Sequence, residues 1–472
     1  MMKKKYFTTV CTLLFCFHLL TAQLPKPTLQ QLQWHDTEFY LFTHFGPNTF
    51  TDKEWGEGTE KAAIFNPSNL DCRQWCRVAK AAGAKGIIIT AKHHDGFCLW
   101  PGKYSTHTVR ESKWKNGRGD VLKELSAACK EYGLKFGVYI SPWDRNHPDY
   151  GTEKYNDVFV NMMTEIFTNY GPIWELWWDG ANGEGPNGKK QVYDWDRFKK
   201  TVKQLSPNTM IFSDIGPHIR WVGNEKGIAG ETNWNTLDTI GFSAGEGAPH
   251  VDTLNRGNVN GRNWIPAECD VSIRPGWFYH KEEDDKVKTP ERLFDLYLKS
   301  VGRGATLLLN VPPDRRGLIH ENDSAALVGF KKLRDENFRR NLCINAVANV
   351  VSGNEIKGKG LVNDNDPNTF LEIADIQKEK IQIHFKKSTK INCIALKEFI
   401  KEGQSVQKFH VQLRSKDKVE NFMHSTIGHK RIITFAAREA TDIFIFFLES
   451  KGSIKITEVE AYLIDEALNP AS

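Results

Sequence analysis

Residues 175–180 read Glu175-Leu176-Trp177-Trp178-Asp179-Gly180, and the placement of this stretch decides the fold. Gly171-Pro172 closes the segment before it, residues 173–178 are apolar and aromatic, and a carboxylate followed by glycine stands where the run stops. A short, continuously apolar run is the pattern of a parallel strand covered on both faces. A carboxylate at the C-terminal end of such a strand is where an α/β barrel presents a reactive group, and glycine there permits a sharp turn. An Asp-Gly pair alone also fits an ordinary turn, so the neighbouring segments must carry the reading.

They do so by alternation. Apolar runs at 40–45, 86–91, 135–140, 174–178, 210–214, 264–268 and 306–311 are interleaved with helical patterns over 70–82, 120–132, 153–169, 195–205 and 289–301. Asp120 stands at an N-cap position, Gly133 just past a helix end, and Pro290 in a first turn where its missing N–H costs little. This predicts an α/β fold, an irregular (β/α)8 barrel of the TIM type, with seven strands identifiable. The Gly- and Asn-rich stretch 218–263 has no clear helix and reads as long loops over the open end. A charged helix over 324–342 is expected to close the barrel. Beyond it, short β-like runs at 381–385, 391–396, 409–413, 431–434, 443–448 and 454–461 are separated by polar turns and predict an all-β sandwich. No low-complexity linker intervenes, so the two domains are expected to pack together.

Composition narrows the function. Among 472 residues, 63 Lys and Arg oppose 58 Asp and Glu, and the basic residues are scattered, which argues against a nucleic-acid partner. Lys3-Lys4-Lys5, an apolar run over 6–20 and Thr21-Ala22 form the pattern of a secretory signal over residues 1–22, too short to span a bilayer. No later stretch is a membrane span. Export to the periplasm or the medium is expected, with a barrel domain over 23–343 and a sandwich over 344–472. Seven Cys remain after the leader, an odd and dispersed set that reads as buried small hydrophobes rather than a disulfide framework. There is no phosphate-binding Gly-rich loop and no Gly-x-Ser-x-Gly elbow.

Strand ends carry the chemistry. The first ends in Thr43-His44-Phe45-Gly46, the second in Lys92-His93-His94-Asp95-Gly96, the third has Tyr139 and then Ser141-Pro142-Trp143, and the fourth ends in Asp179. A single such His is usually a satisfied core imidazole. Four successive strands with these residues at one end describe a pocket of His, Trp and Tyr around a carboxylate. His93 and His94 are neighbours on an extended segment and point to opposite sides, and no zinc-type spacing is present, so a catalytic metal is not expected. Neutral imidazoles bonding sugar hydroxyls, with indole faces against sugar C–H faces, account better for these residues and for the fourteen Trp.

Thr43-His44-Phe45-Gly46, Glu54-Trp55-Gly56, Lys92-His93-His94-Asp95-Gly96-Phe97, Gly137-Val138-Tyr139-Ile140-Ser141 and Trp177-Trp178-Asp179-Gly180 resemble, in the same order, the motifs of glycoside hydrolase family 29, the retaining α-L-fucosidases. The resemblance covers roughly residues 30–313. It implies Asp179 as nucleophile, with His44, Trp55, His93, His94, Tyr139 and Trp177 lining the fucose pocket. Arg220-Trp221-Val222-Gly223-Asn224-Glu225 is similar to a segment of the branch that prefers α-1,3/1,4-linked fucose on branched glycans. That similarity implies Glu225 as acid/base and Arg220 and Trp221 at the substrate. Glu231, in the same loop, and Glu268 are the rivals. Arg274 and Trp277 are expected at the rim, against the alternative of a Pro-Gly turn with a packed Trp.

Such a pair of carboxyl groups supports double displacement without a cofactor. The turn Asn363-Asp364-Asn365-Asp366-Pro367-Asn368-Thr369-Phe370 makes the C-terminal domain resemble a discoidin-type (coagulation-factor type C) sandwich, although Phe370 replaces the usual Trp. That resemblance implies a structural calcium. The domain reads better as a buttress for the barrel than as a sugar-binding module. Two other readings compete: a fucose-binding protein on an inactive barrel, and a barrel glycosidase for another sugar. The two carboxylates favour an enzyme, the ordered His motifs favour fucose, and a fucosylated oligosaccharide is the expected partner.

Overall fold

The computed structural model describes residues 24–353, 355–360, 362–416 and 418–471, so the leader expected over 1–22 lies outside the described residues. Eight parallel strands close a barrel in sequential order: β1 Phe39–Thr43, β2 Gly86–Lys92, β3 Lys135–Ile140, β4 Glu175–Trp177, β5 Met210–Ser213, β6 Ile219–Trp221, β7 Ala267–Ser272 and β8 Thr306–Asn310. β8 pairs back onto β1 with Phe39 opposite Leu307.

Seven runs were legible as strands, and the eighth is β6. It is three residues long and follows β5 through residues 214–218 with no intervening helix, so neither its length nor a helix–strand rhythm announces it. The run expected at 264–268 is corrected as well. Asn263–Trp264 pairs antiparallel with Thr236–Leu237 outside the barrel, and the barrel strand begins at Ala267. The displacement has a physical cause: β7 turns Glu268, Asp270 and Ser272 into the interior, so its functional face is polar and escapes a search for apolar runs.

The helices fall where their patterns place them. Cys72–Ala81 and Val121–Tyr132 are capped by Asp71 and Asp120, whose carboxylates each accept a backbone N–H at 3.0 Å. Gly133 ends the latter with φ 63°, a left-handed cap. Glu153–Tyr170, Trp195–Leu205, Pro290–Lys299 and Glu321–Asn337 follow, the last beginning three residues earlier than the 324 expected. Between helices and strands lies one apolar layer that includes Trp75, Leu125, Phe159 and Leu296. A second, smaller cluster fills the barrel: Tyr40, Phe42, Ile88, Tyr139, Trp177, Phe212 and Leu308. Each large side chain so buried contributes about 1.5–3 kcal/mol.

The C-terminal domain is antiparallel. Its runs at 381–385 and 391–396 are parts of one strand, β12 Glu379–Glu398, and those at 431–434 and 443–448 are parts of β15 Arg431–Ser450. The others are β9 Val347–Ser352, β10 Glu355–Lys359, β11 Leu371–Ile373, β13 Val406–Arg414, β14 Val419–Ser425 and β16 Ile454–Tyr462. Register shifts along β12 and β15 wrap the pairing around a core that includes Ile383, Leu396, Phe409, Ile445 and Val459. This domain packs on the barrel through paired polar groups. Ile432 N donates to Gly302 O at 2.8 Å, Asn233 N to Thr426 Oγ1 at 3.0 Å and Asn235 N to Gln404 Oε1 at 2.8 Å. Lys430 pairs with Glu38.

Candidate active site

The C-terminal ends of β1 to β4 converge as a ring of aromatic side chains. His44 lies 5.6 Å from His93, His93 lies 4.2 Å from His94, and Trp55 sets its edge 5.4 Å from His94. Tyr139 stacks between His93 at 5.7 Å and Trp177 at 5.3 Å. Trp277 closes the circle, 5.1 Å from His44. Trp55 is 55% exposed and forms the lip, whereas the other rings are buried or half-buried. Glu54 clasps the lip to the opposite loop by accepting Trp277 N at 2.7 Å and Phe278 N at 3.2 Å.

Asp179 sits inside this ring. Its Oδ2 accepts the Tyr139 hydroxyl at 3.0 Å and faces His94 Nε2 at 3.7 Å, and its Oδ1 accepts Ala181 N at 2.8 Å. Gly180 follows for a reason other than turn freedom. A Cβ there would run into the Asp214 carboxylate and come within 2.9 Å of the Gly245 backbone, so glycine lets two loops meet beside the carboxylate.

The hydrogen-bond network fixes the imidazole tautomers. Ser141 gives its proton to Trp143 O, so at 2.8 Å it must accept from His94 Nδ1–H. Asn310 spends its amide on Ser272 Oγ and Trp277 O, so its Oδ1 accepts from His44 Nδ1–H at 2.8 Å. Both imidazoles are left with an Nε2 lone pair, and a sugar hydroxyl can donate to it. Burial depresses His44 to about 3 and His94 to about 4, and burial with two neighbouring imidazoles holds His93 well below its usual range. All three are neutral at ordinary working pH.

Beside the ring opens a cleft of about 380 Å³, walled by Trp177, Asp179, Asp214, Trp221, Glu225 and Asp270. Glu225 reaches it from the loop after β6, and Oε2 accepts Trp277 Nε1 at 3.3 Å. Two carboxyl groups from different strand ends thus face one space. A nucleophile and a proton donor require that arrangement.

Other expected site residues lie elsewhere. Arg220 is fully buried under the cleft wall, donating to Leu254 O at 2.8 Å, to Asn233 Oδ1 at 2.9 Å and to Ile265 O. It shares a strand with Trp221, but adjacent strand residues face opposite ways, so Trp221 takes the cleft and Arg220 the scaffold. Arg274 is also buried. It pairs with Asp323 and Asp284, each at 3.0 Å, and its guanidinium lies over Tyr279. It therefore anchors the loop from behind instead of forming a rim. Glu231 is exposed, pairs with Arg303 at 3.1 Å and lies against the C-terminal domain, away from Asp179. Glu268 is sealed in the barrel, where Oε1 accepts Trp177 Nε1 at 2.8 Å and the Tyr40 hydroxyl donates to Oε2. Its neighbour Glu175 is pushed far above the carboxylate range by burial and by Glu268, so the pair holds one proton between them.

Three residues escaped the sequence reading: Asn310, Asp214 and Asp270. Asn310, the polar end of Leu307-Leu308-Leu309-Asn310, carried a usable signal, since strand ends carry the site.

The alpha-L-fucosidase family model matches residues 26–333. Alpha-L-fucosidase 1 of Arabidopsis thaliana is 41% identical over 421 residues, 87% of this chain and 82% of that protein. A glycoside hydrolase 29 family member from an unknown rumen bacterium superposes with TM-score 0.84 at 42% identity, covering 94% of this chain and 78% of that one. A Ruminococcus gnavus GH29 fucosidase in complex with fucose superposes with TM-score 0.84 at 31% identity over 94% of this chain and 96% of that one. With a closed barrel, a ringed carboxylate and these relatives, the chain belongs to the alpha-L-fucosidase family of glycoside hydrolases.

Proposed function

We propose that this α-L-fucosidase is an exported retaining exo-enzyme that removes α-1,3/1,4-linked fucose from branched, Lewis-type glycans. The observation that carries the mechanism is Asp179 and Glu225 facing one cleft. Asp179 attacks the anomeric carbon while Glu225 gives its proton to the departing glycosidic oxygen. Glu225 then takes a proton from water as that water displaces Asp179 from the sugar. His44, His93, His94, Tyr139 and Trp177 hold the fucose, His44 and His94 through their free Nε2 atoms, while Trp55, Trp221 and Trp277 form the aromatic wall. The exposed lip of Trp55 and the loop walls 245–251 leave room for the branch sugar beside the fucose, the contact from which a linkage preference would come.

Three measurements test this reading. Proton NMR of the first product should show α-fucose, the retained anomer. Asp179→Ala should lose about a thousandfold or more in turnover. Lewis-type trisaccharides should be cleaved well ahead of α-1,2-fucosyl-lactose. Equal rates on the two substrates would refute the linkage assignment, and a β-fucose product would refute the mechanism. The signal-like pattern supports export, tested by N-terminal sequencing of the mature protein from a periplasmic fraction.

For the C-terminal domain we propose a discoidin-like buttress with a structural calcium. Glu458 is buried beside the 363–366 turn, its oxygens have no side-chain hydrogen-bond partner, and burial raises it to about 7. A cation would relieve that cost, with Asp364 and Glu458 as carboxylate ligands and backbone oxygens supplying the rest. Calcium should raise the melting temperature of the wild type and leave Glu458→Gln unchanged; a chelator without effect on the wild type would remove the proposal.

A further inference from the structure

The cleft contains a carboxyl group to which the double displacement gives no task. Asp270 is the middle of the three residues that β7 turns inward. Below it, Glu268 is sealed against Trp177 and Tyr40. Above it, Ser272 accepts from Asn310 at 2.9 Å and ties the next loop through Gly276 O. Asp270 lies between floor and rim. It is only 4% exposed, yet it lines the same space as Asp179 and Glu225. Trp221 Nε1 donates to its Oδ1 at 2.9 Å.

Its electrostatic surroundings are one-sided. The charged groups that bear on it are Glu225, from the loop after β6, and Glu268, from its own strand, and both are carboxylates. The closest donor is a neutral indole. A buried carboxylate facing two others with no cation is costly, and the economical state is the protonated acid. Burial first, then Glu225 and Glu268, hold it well above the usual carboxylate range. Since Oδ1 accepts the indole N–H, the acid proton belongs on Oδ2.

We propose that Asp270 is a third substrate-contacting carboxyl group of the cleft, acting as a neutral acid that donates a hydrogen bond to an oxygen of the sugar held against Asp179. The pocket would then be sided. His44 and His94 present lone pairs to sugar hydroxyls from β1 and β2, and Asp270 presents a donor from the opposite wall. This rests on the sugar sitting at Asp179.

The test uses the full chain, with 4-nitrophenyl α-L-fucoside for kcat/KM across pH and free fucose for Kd. Asp270→Asn keeps a neutral donor and should stay within about threefold of wild type at neutral pH, while losing the decline that wild type shows as Asp270 ionises at alkaline pH. Asp270→Ala should weaken fucose binding and kcat/KM by about tenfold, one hydrogen bond's worth. Asparagine as damaging as alanine would overturn the neutral-donor role, and a folded alanine variant equal to wild type would overturn the contact. Rescue of Asp270→Ala by azide would make it the acid/base, which also overturns the proposal. A wild-type fucose complex decides without any variant. A sugar oxygen within hydrogen-bond distance of Oδ2 is expected. Fucose against Asp179 without that contact removes this inference alone, and fucose bound elsewhere removes the site assignment with it.

Discussion

Tyr139 donates its hydroxyl to Asp179 Oδ2 at 3.0 Å while its ring stacks on Trp177, with centroids 5.3 Å apart. Burial and the Asp179 charge push the phenol far above its ordinary range, so it remains a donor at any working pH. Tyr139→Phe keeps the stack and deletes only the hydroxyl. It should lower kcat on an aryl fucoside about tenfold with KM little changed, because the bond orients the carboxylate for attack. A kcat within twofold of wild type would show that Ala181 N alone suffices to hold Asp179.

The acid/base assignment is separable by leaving group. Glu225→Ala should be crippled on oligosaccharides, whose departing hydroxyl needs a proton, and far less on an aryl fucoside in its first step. Azide should rescue it and yield a fucosyl azide of retained configuration. Glu231→Ala, lacking only an exposed ion pair with Arg303, should show neither behaviour. Rescue in the Glu231 variant instead would displace Glu225 from the mechanism.

Arg220 and Arg274 should report on stability. Arg220→Met strands Leu254 O, Ile265 O and Asn233 Oδ1 without their donor, and Arg274→Met leaves Asp323 buried without its cation. Each should cost about 2–5 kcal/mol, read as a lowered denaturation midpoint. An Arg220→Met protein of wild-type stability but raised KM for fucose would return that residue to the pocket.

Asp95 makes stability fall as pH rises. Burial lifts it to about 7, and its Oδ2 and the Asn48 Oδ1 both lack partners while flanking Gly56. A protonated Asp95 can bridge them. The folded chain therefore binds a proton that the unfolded chain releases near pH 4, and unfolding free energy should decline by on the order of 1 kcal/mol per pH unit between about 4 and 7. Asp95→Asn should flatten that slope in denaturant titrations at pH 5 and 8. An unchanged slope would assign it to other groups.

Legibility from sequence followed the length and polarity of each element. Helices such as Trp195–Leu205 fell where their periodicity put them, and apolar strands β2 and β3 were visible because both faces are covered. The elements that shape the site were harder to see. β6 is too short, and β7 reads as polar because Glu268 and Asp270 line the interior. Motif resemblance put Arg220 beside the sugar because it cannot tell which of two adjacent strand residues turns inward. That alternation separates Trp221 at the cleft from Arg220 beneath it. Glu225 and Glu231 differ in the same way: one loop carries both, and only the C-terminal domain packed against Glu231 distinguishes them.

That packing has a consequence for dissecting the enzyme. Gln404 receives Asn235 N and returns an N–H to Asn233 O at 3.1 Å, and Asn233 in turn holds the Arg220 guanidinium at the root of the Glu225 loop. Three hydrogen bonds thus run from the second domain to the strand that launches the acid. Cutting the gene after the barrel would not release an independent module. It would unmoor one carboxylate of the pair while leaving Asp179 in place, so a truncated chain should still retain free fucose long after it has stopped releasing fucose from a glycan.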